Sequence, residues 1–139
     1  MNIVDKIKFE EGDKAKMYKC PAGKWTIGAG INLEAQEMPQ EVRDLWLDMI
    51  RYKNYRAVDV RLYDAYHIGL GDLEEGASIV LQDMAYQMGV NGLFKFVNMI
   101  ASIDNHDYLG AADHLLDSNY ARQTPERANR NAELLRGCA

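Results

Sequence analysis

Eight residues separate Glu11 from Cys20, five separate Cys20 from Thr26, and the stretch closes on Thr26-Ile27-Gly28-Ala29-Gly30. An acid, a thiol able to act as base or nucleophile, and a hydroxyl thus frame one turn-rich segment, Lys19-Cys20-Pro21-Ala22-Gly23-Lys24-Trp25-Thr26. Glycosidic bond cleavage needs such a set: one group protonates the leaving oxygen and another manages water or the anomeric carbon. Far downstream, Tyr86-Gln87-Met88-Gly89 and Gln123-Thr124-Pro125-Glu126-Arg127-Ala128 form a second polar grouping.

These groups must be positioned by the elements around them. Ile3, Val4, Ile7 and Glu11 follow helical spacing, and Gly12 stops the helix. On that spacing Glu11 either stands at the solvated end of a short amphipathic helix or shares the buried face, at the rim of which a carboxylic acid suits proton donation. Glu10 also fits the spacing, so periodicity does not choose between the two. Residues 14 to 34 read as short strands, with Pro21-Ala22-Gly23 as a turn and Gly28 and Gly30 keeping the backbone open to close approach. Gly-x-Gly alone is no dinucleotide fingerprint, because the third glycine and the βαβ setting are missing.

From Pro39 onward the pattern is helical. Leu45, Trp46, Met49, Ile50, Ala57 and Val60 make an apolar stripe through one helix or two, and the usual reading of such a stripe is core packing. Leu73, Ala77, Val80, Leu81 and Met84 make the most buried-looking helix, ending at Gly89. Further helices are expected from Phe94 to about Ile103, from Asp107 to about Leu116, and from Gln123 to Arg136. The expected fold class is α+β. It is a single domain over 1–139, with a small N-terminal lobe bearing a β-hairpin (1–60), a helical lobe (61–139) and a cleft between them.

Composition narrows the function. A chain of 139 residues, 47% of them apolar, supports one folded domain. Net charge is −5 and no basic stripe runs along any segment, which argues against nucleic acid as a partner. No apolar run approaches the ~20 residues of a membrane span, and the N-terminus lacks the features of a signal peptide. The expectation is a protein made in the cytoplasm, without a membrane anchor. His67, His106 and His114 are scattered, and no Cys/His pair has ligand spacing, so neither metal nor other cofactor is expected. Cys20 and Cys138 could form one disulfide, but a cytoplasmic origin favours free thiols.

The residues Glu11-Gly12 through Cys20 and Thr26-Ile27-Gly28-Ala29-Gly30 resemble the T4-like phage lysozyme and endolysin family. So do Met84 to Gly89 with Phe96 and Asn98, and Ala111-Ala112 through Ser118 to Gln123-Thr124-Pro125 and Arg127-Ala128. The resemblance covers most of the chain and fails mainly between about residue 34 and residue 72, where this chain is shorter. It implies a muramidase that hydrolyses the β-1,4 bond between N-acetylmuramic acid and N-acetylglucosamine. By that resemblance Glu11 protonates the glycosidic oxygen, Cys20 stands where other members carry Asp or Cys, and Thr26 helps hold the attacking water. Arg127 would fix the Glu11 carboxyl group, while Asn32, Tyr86, Gln87 and His114 would contact the sugar. The implied setting is a monomeric endolysin of a phage with a Gram-negative host. It would be held in the host cytoplasm until a holin lets it reach peptidoglycan in the periplasm.

This chain departs from the family at three places. Ile31 stands where a His often follows the second glycine, Asp83 where an Asn is familiar, and Tyr120 where a Trp is familiar. Asp83 thereby adds a charge to a helix expected to be buried. Cys20 raises a chemical question of its own. An ordinary thiol, with a pKa of about 8.5, is mostly protonated at neutral pH, yet only the thiolate can act. Either nearby groups lower that value, or Glu11 and Thr26 dominate, or Cys20 is simply a half-buried residue beside a turn. Two other functions use the same fold. A glycan-binding or structural phage protein would not need all three groups, and cleavage without water, leaving an anhydro sugar, would not need Thr26 and Cys20.

Overall fold

The computed structural model describes residues 2–139. It divides into two compact units, Met1–Leu45 and Trp46–Ala139. The fold is α+β, with a small antiparallel sheet near the N-terminus and helices through most of the rest. Among the described residues, no helix is long and apolar enough to cross a membrane.

The first unit opens with α1 (Ile3–Glu11). Its N-cap is Asn2, whose side-chain oxygen accepts from Asp5 N at 2.9 Å, and it stops at Gly12, where φ is 79°. Then come β1 (Lys14–Lys19), β2 (Trp25–Gly28) and β3 (Ile31–Asn32), in the order β1-β2-β3. The first two match the sequence reading. The third is too short for an alternating pattern to reveal. The β1–β2 ladder is irregular, since four steps along β1, from Lys14 to Tyr18, oppose two along β2, from Gly28 to Thr26.

Among the described residues of this unit, the only buried side chain is that of Thr26. This corrects the expectation of a buried apolar face on α1, because Ile3, Val4 and Ile7 are 69%, 56% and 43% exposed, and it leaves Glu11 at the solvated end of the helix. The physical reason is size: a unit this small has no second layer to lay over its helix.

α2 (Gln40–Tyr66) is one continuous helix that begins directly after Pro39. Its buried side chains are Val58 and Leu62, flanked by the half-buried Tyr55 and Tyr66. The expected stripe therefore sits in the wrong register. Leu45, Trp46, Met49, Ile50 and Val60 are exposed, and the face that meets the core is 55, 58, 62 and 66, spaced by helical turns.

After a single 3₁₀ turn (Leu70–Asp72), α3 (Glu75–Leu93) buries Ala77, Val80, Leu81, Met84 and Ala85. Its backbone breaks at Gly89, with φ 80° and ψ 160°, where the sequence places its end. α4 (Val97–Asp104), α5 (Tyr108–Leu116), α6 (Asn119–Gln123) and α7 (Pro125–Arg136) complete the unit. Asp107 and Ser118 cap α5 and α6 through their side chains, and Pro125 opens α7. α6 went unread because five residues carry no period. The apolar core, from Val58 to Leu135, lies wholly in this second unit. Each of its buried Leu, Ile and Met side chains contributes about 1.5–3 kcal/mol.

Candidate active site

Glu11 is the last residue of α1, and the turn at Gly12 presents it to solvent. The Gly28-Ala29-Gly30 turn between β2 and β3 closes against it. Gly30 has φ 74°, and a Cβ there would lie 2.9 Å from Glu11 Oε2 and 3.1 Å from its Cδ. A side chain there would push the Glu11 carboxyl group aside, and the positive φ itself favours glycine. The geometry thus joins the first catalytic candidate to the glycine pattern that follows the third.

Cys20 and Thr26 are brought together by the β1–β2 hairpin. Cys20 N donates to Lys24 O at 2.9 Å, and Gly23 N donates to Cys20 O at 2.8 Å. Pro21 presets the first corner of this turn, and Gly23, at φ 79°, supplies the left-handed residue that closes it. Cys20 is half-buried and a free thiol, as is Cys138. The backbone N–H of Lys24, and then those nearer the turn, hold the Cys20 thiol below its ordinary range; desolvation opposes them, and the Thr26 hydroxyl adds to the lowering.

Thr26 is 2% exposed and its Oγ1 donates to Lys24 O at 2.9 Å. A hydroxyl has one proton, so it serves either that carbonyl or the sulfur at any moment. While the carbonyl takes it, the oxygen lone pairs remain free to accept. Asn32, in β3, is half-buried. Its Oδ1 accepts from Glu34 N at 2.9 Å and Ala35 N at 3.2 Å, which leaves its amide N–H groups for other partners.

The other candidates stand on the second unit. Tyr86 and Gln87 are exposed on α3 and His114 on α5, and Arg127 is half-buried on α7. Tyr86 lines an apolar pocket of about 320 Å³ with Ile79, Gln82 and Asp83 of α3 and Leu47, Arg51 and Asn54 of α2. Sequence reasoning missed this pocket, because its two walls come from helices about thirty residues apart.

It also missed the partner of Arg127. Asp83 takes the guanidinium in a fork, Nε to Oδ2 at 3.0 Å and Nη2 to Oδ1 at 2.6 Å. Asn131 Nδ2 donates to Asp83 Oδ2 at 2.9 Å and to Tyr120 Oη at 3.2 Å. Two of the three departures from the family pattern, Asp83 and Tyr120, therefore belong to one network in which the added charge is neutralised. The Arg127 hydrogen bond is the main reason that the Asp83 carboxyl lies below the usual carboxylate range, and the same fork pushes Arg127 up.

This predicts a pH-dependent contribution to stability. Asp83 has a depressed folded value, so its contribution is complete above the unfolded carboxylate value of ~3.9 and is lost as pH falls through the folded one. Asp83→Asn should destabilise the protein by about 1 kcal/mol at neutral pH, with the pair about one-third exposed. The difference from wild type should shrink below about pH 4. Urea unfolding at both pH values measures it, and a difference that stays constant with pH would contradict this account.

A family model described as phage lysozyme matches residues 8–133. Two proteins of Dictyostelium discoideum are similar over almost the whole chain. One, named "Probable T4-type lysozyme 2", is 23% identical over 93% of this chain and 90% of its own. The other, "Probable T4-type lysozyme 1", is 24% identical over the same shares.

Proposed function

The chain belongs to the phage lysozyme family, and from that premise we propose that it is a hydrolytic muramidase acting on peptidoglycan. Glu11 donates a proton to the glycosidic oxygen as the bond to the anomeric carbon breaks. A water held by Thr26 attacks that carbon from the opposite face and gives its proton to the Cys20 thiolate. Glu11 is left ionised and Cys20 protonated, and exchange with solvent restores both. This is the inverting course, in which one group acts as acid and the other as base. Asn32, through its amide N–H groups, and Tyr86, Gln87 and His114 bind the saccharide. The biological role that goes with this reaction is that of a phage endolysin, reaching the periplasm through a holin and lysing a Gram-negative host.

The observation that carries the reading is the hairpin turn itself. It ties Cys20 N to Lys24 O and sets beside it the nearly buried Thr26, whose Oγ1 donates to the same carbonyl. A packing cysteine needs neither. Digestion of purified Gram-negative sacculi, with products identified by mass spectrometry, tests the proposal. Soluble fragments ending in reducing N-acetylmuramic acid are expected. Anhydro ends would replace hydrolysis with cleavage without water, and binding without products would leave a glycan-binding protein.

Gly30→Ala gives a second check. The new Cβ enters the space of the Glu11 carboxyl group, and the positive φ adds roughly 1–2 kcal/mol of strain. Hydrolysis should fall by on the order of tenfold or more, since small misplacements of a reacting group are costly. A folded variant with the wild-type rate would show that the seat of Glu11 over Gly30 is immaterial.

A further inference from the structure

The hairpin that carries Cys20 and Thr26 has a charge pattern that the proposed reaction leaves unused. The chain is acidic overall, at net −5, yet no Asp or Glu stands between Asp13 and Glu34. Lys14, Lys16, Lys19 and Lys24 all fall in that interval, and all four are exposed. Among the described residues the ion pairs are made by other side chains, with the nearby Lys6 and Lys8 taken by Glu10 and Asp13.

Aromatic faces hold two of the four lysines. Lys14 Nζ lies 4.4 Å from the centre of the Tyr18 ring, and Lys19 Nζ lies 5.0 Å from that of Trp25, its cross-strand partner. A ring face steadies an ammonium group without cancelling its charge, so these cations remain available to an anion. The whole-chain charge conceals the pattern, because the lysines alternate with apolar residues and never form a run.

We propose that this hairpin recruits the carboxylate-bearing peptides attached to the glycan strand. The inference rests on the muramidase reading and deepens it. The amide-substituted sugars of such a strand are neutral, so its charge resides in its peptides. Lys19 and Lys24 bracket the turn of Cys20, and a carboxylate drawn to them brings the neighbouring sugar toward Cys20 and Thr26. The cations are single ammonium groups spread along two strands, with no arginine among them, which suits separate carboxylates better than bidentate phosphate recognition. A flat anionic membrane would also meet the exposed Asp5, Glu10, Glu11 and Glu34 of the same unit, whereas a discrete carboxylate need not.

The test compares the full-length protein with the double variant Lys16→Gln/Lys24→Gln, whose side chains take no part in the ring contacts or the proposed chemistry. Sedimentation on ice measures binding to native sacculi and to sacculi whose carboxylates have been converted to amides. At low ionic strength the wild type should bind the native form roughly tenfold more tightly, and high salt should erase the preference. The folded double variant should lose most of it. Equal binding of both sacculi by the wild type would overturn the proposal, as would an undiminished preference in the variant. Lysine-dependent binding to phosphatidylglycerol vesicles, with no preference between sacculi, would overturn it in favour of a membrane surface. Hydrolysis is read separately: a lack of reducing ends from either sacculus would sink the muramidase reading, while the binding preference still decides the role of the hairpin.

Discussion

Glu11→Gln is expected to stop hydrolysis of sacculi while leaving helix content and melting temperature unchanged. The glutamine has the same shape but no proton to give to a leaving alkoxide, and general acid catalysis typically contributes a factor of about 10²–10⁴. The structure gives no reason for the fold to suffer. Glu11 is exposed at the end of α1, and glutamine meets the backbone at Gly30, which lies close to the carboxyl group, equally well. Product release from the sacculus and a thermal melt are measured on the same preparation. A variant that clears the wall at the wild-type rate would remove Glu11 from the reaction. Glu10 would then be the acid to test, since it fits the helical spacing equally and its carboxylate is paired with Lys6.

Cys20 carries the second large effect. Cys20→Ala should lose on the order of a hundredfold in rate, and Cys20→Asp should keep substantial activity, because a carboxylate can take the proton of the attacking water in place of the thiolate. The pH profiles should separate the two side chains. In the wild type the rate rises as the thiol ionises, and the hairpin N–H groups place that rise below the ordinary thiol range. In the aspartate variant the rise belongs to a carboxylate and moves several pH units lower. Folding stability follows the same linkage. A thiol whose folded value is depressed stabilises the protein above the unfolded value, and that contribution is lost as pH falls through the folded one. An alanine variant with full activity at every pH would reduce Cys20 to a packing residue and leave Glu11 and Thr26 to do the chemistry.

Much of the candidate site was legible in the sequence because its geometry is local. The turn that holds Cys20 near Thr26 follows from Pro21 and Gly23 within a five-residue loop. The close approach to Glu11 follows from Gly30, whose backbone only glycine adopts readily. The breaks at Gly12 and Gly89 were legible for the same reason. Asp107 likewise caps its own helix. Interactions between residues a few positions apart are written in the order of the residues themselves.

What the sequence left open was decided by which elements meet. Periodicity on α2 offered an apolar stripe from Leu45 to Val60, but an apolar side chain is buried only where another layer lies over it. The core covers Val58 and Leu62 instead. Asp83 looked like an unpaired charge on a buried helix until the fold brought Arg127 to it across forty-four positions, with Asn131 and Tyr120 completing the set. The pocket beside Tyr86 likewise exists only because α2 and α3 each supply one of its walls. The sequence by itself determined the chemical groups and the turns that aim them, since both depend on neighbours along the chain. The tertiary structure decided burial, charge pairing and cavity shape, since these depend on partners distant in the chain that only packing brings into contact.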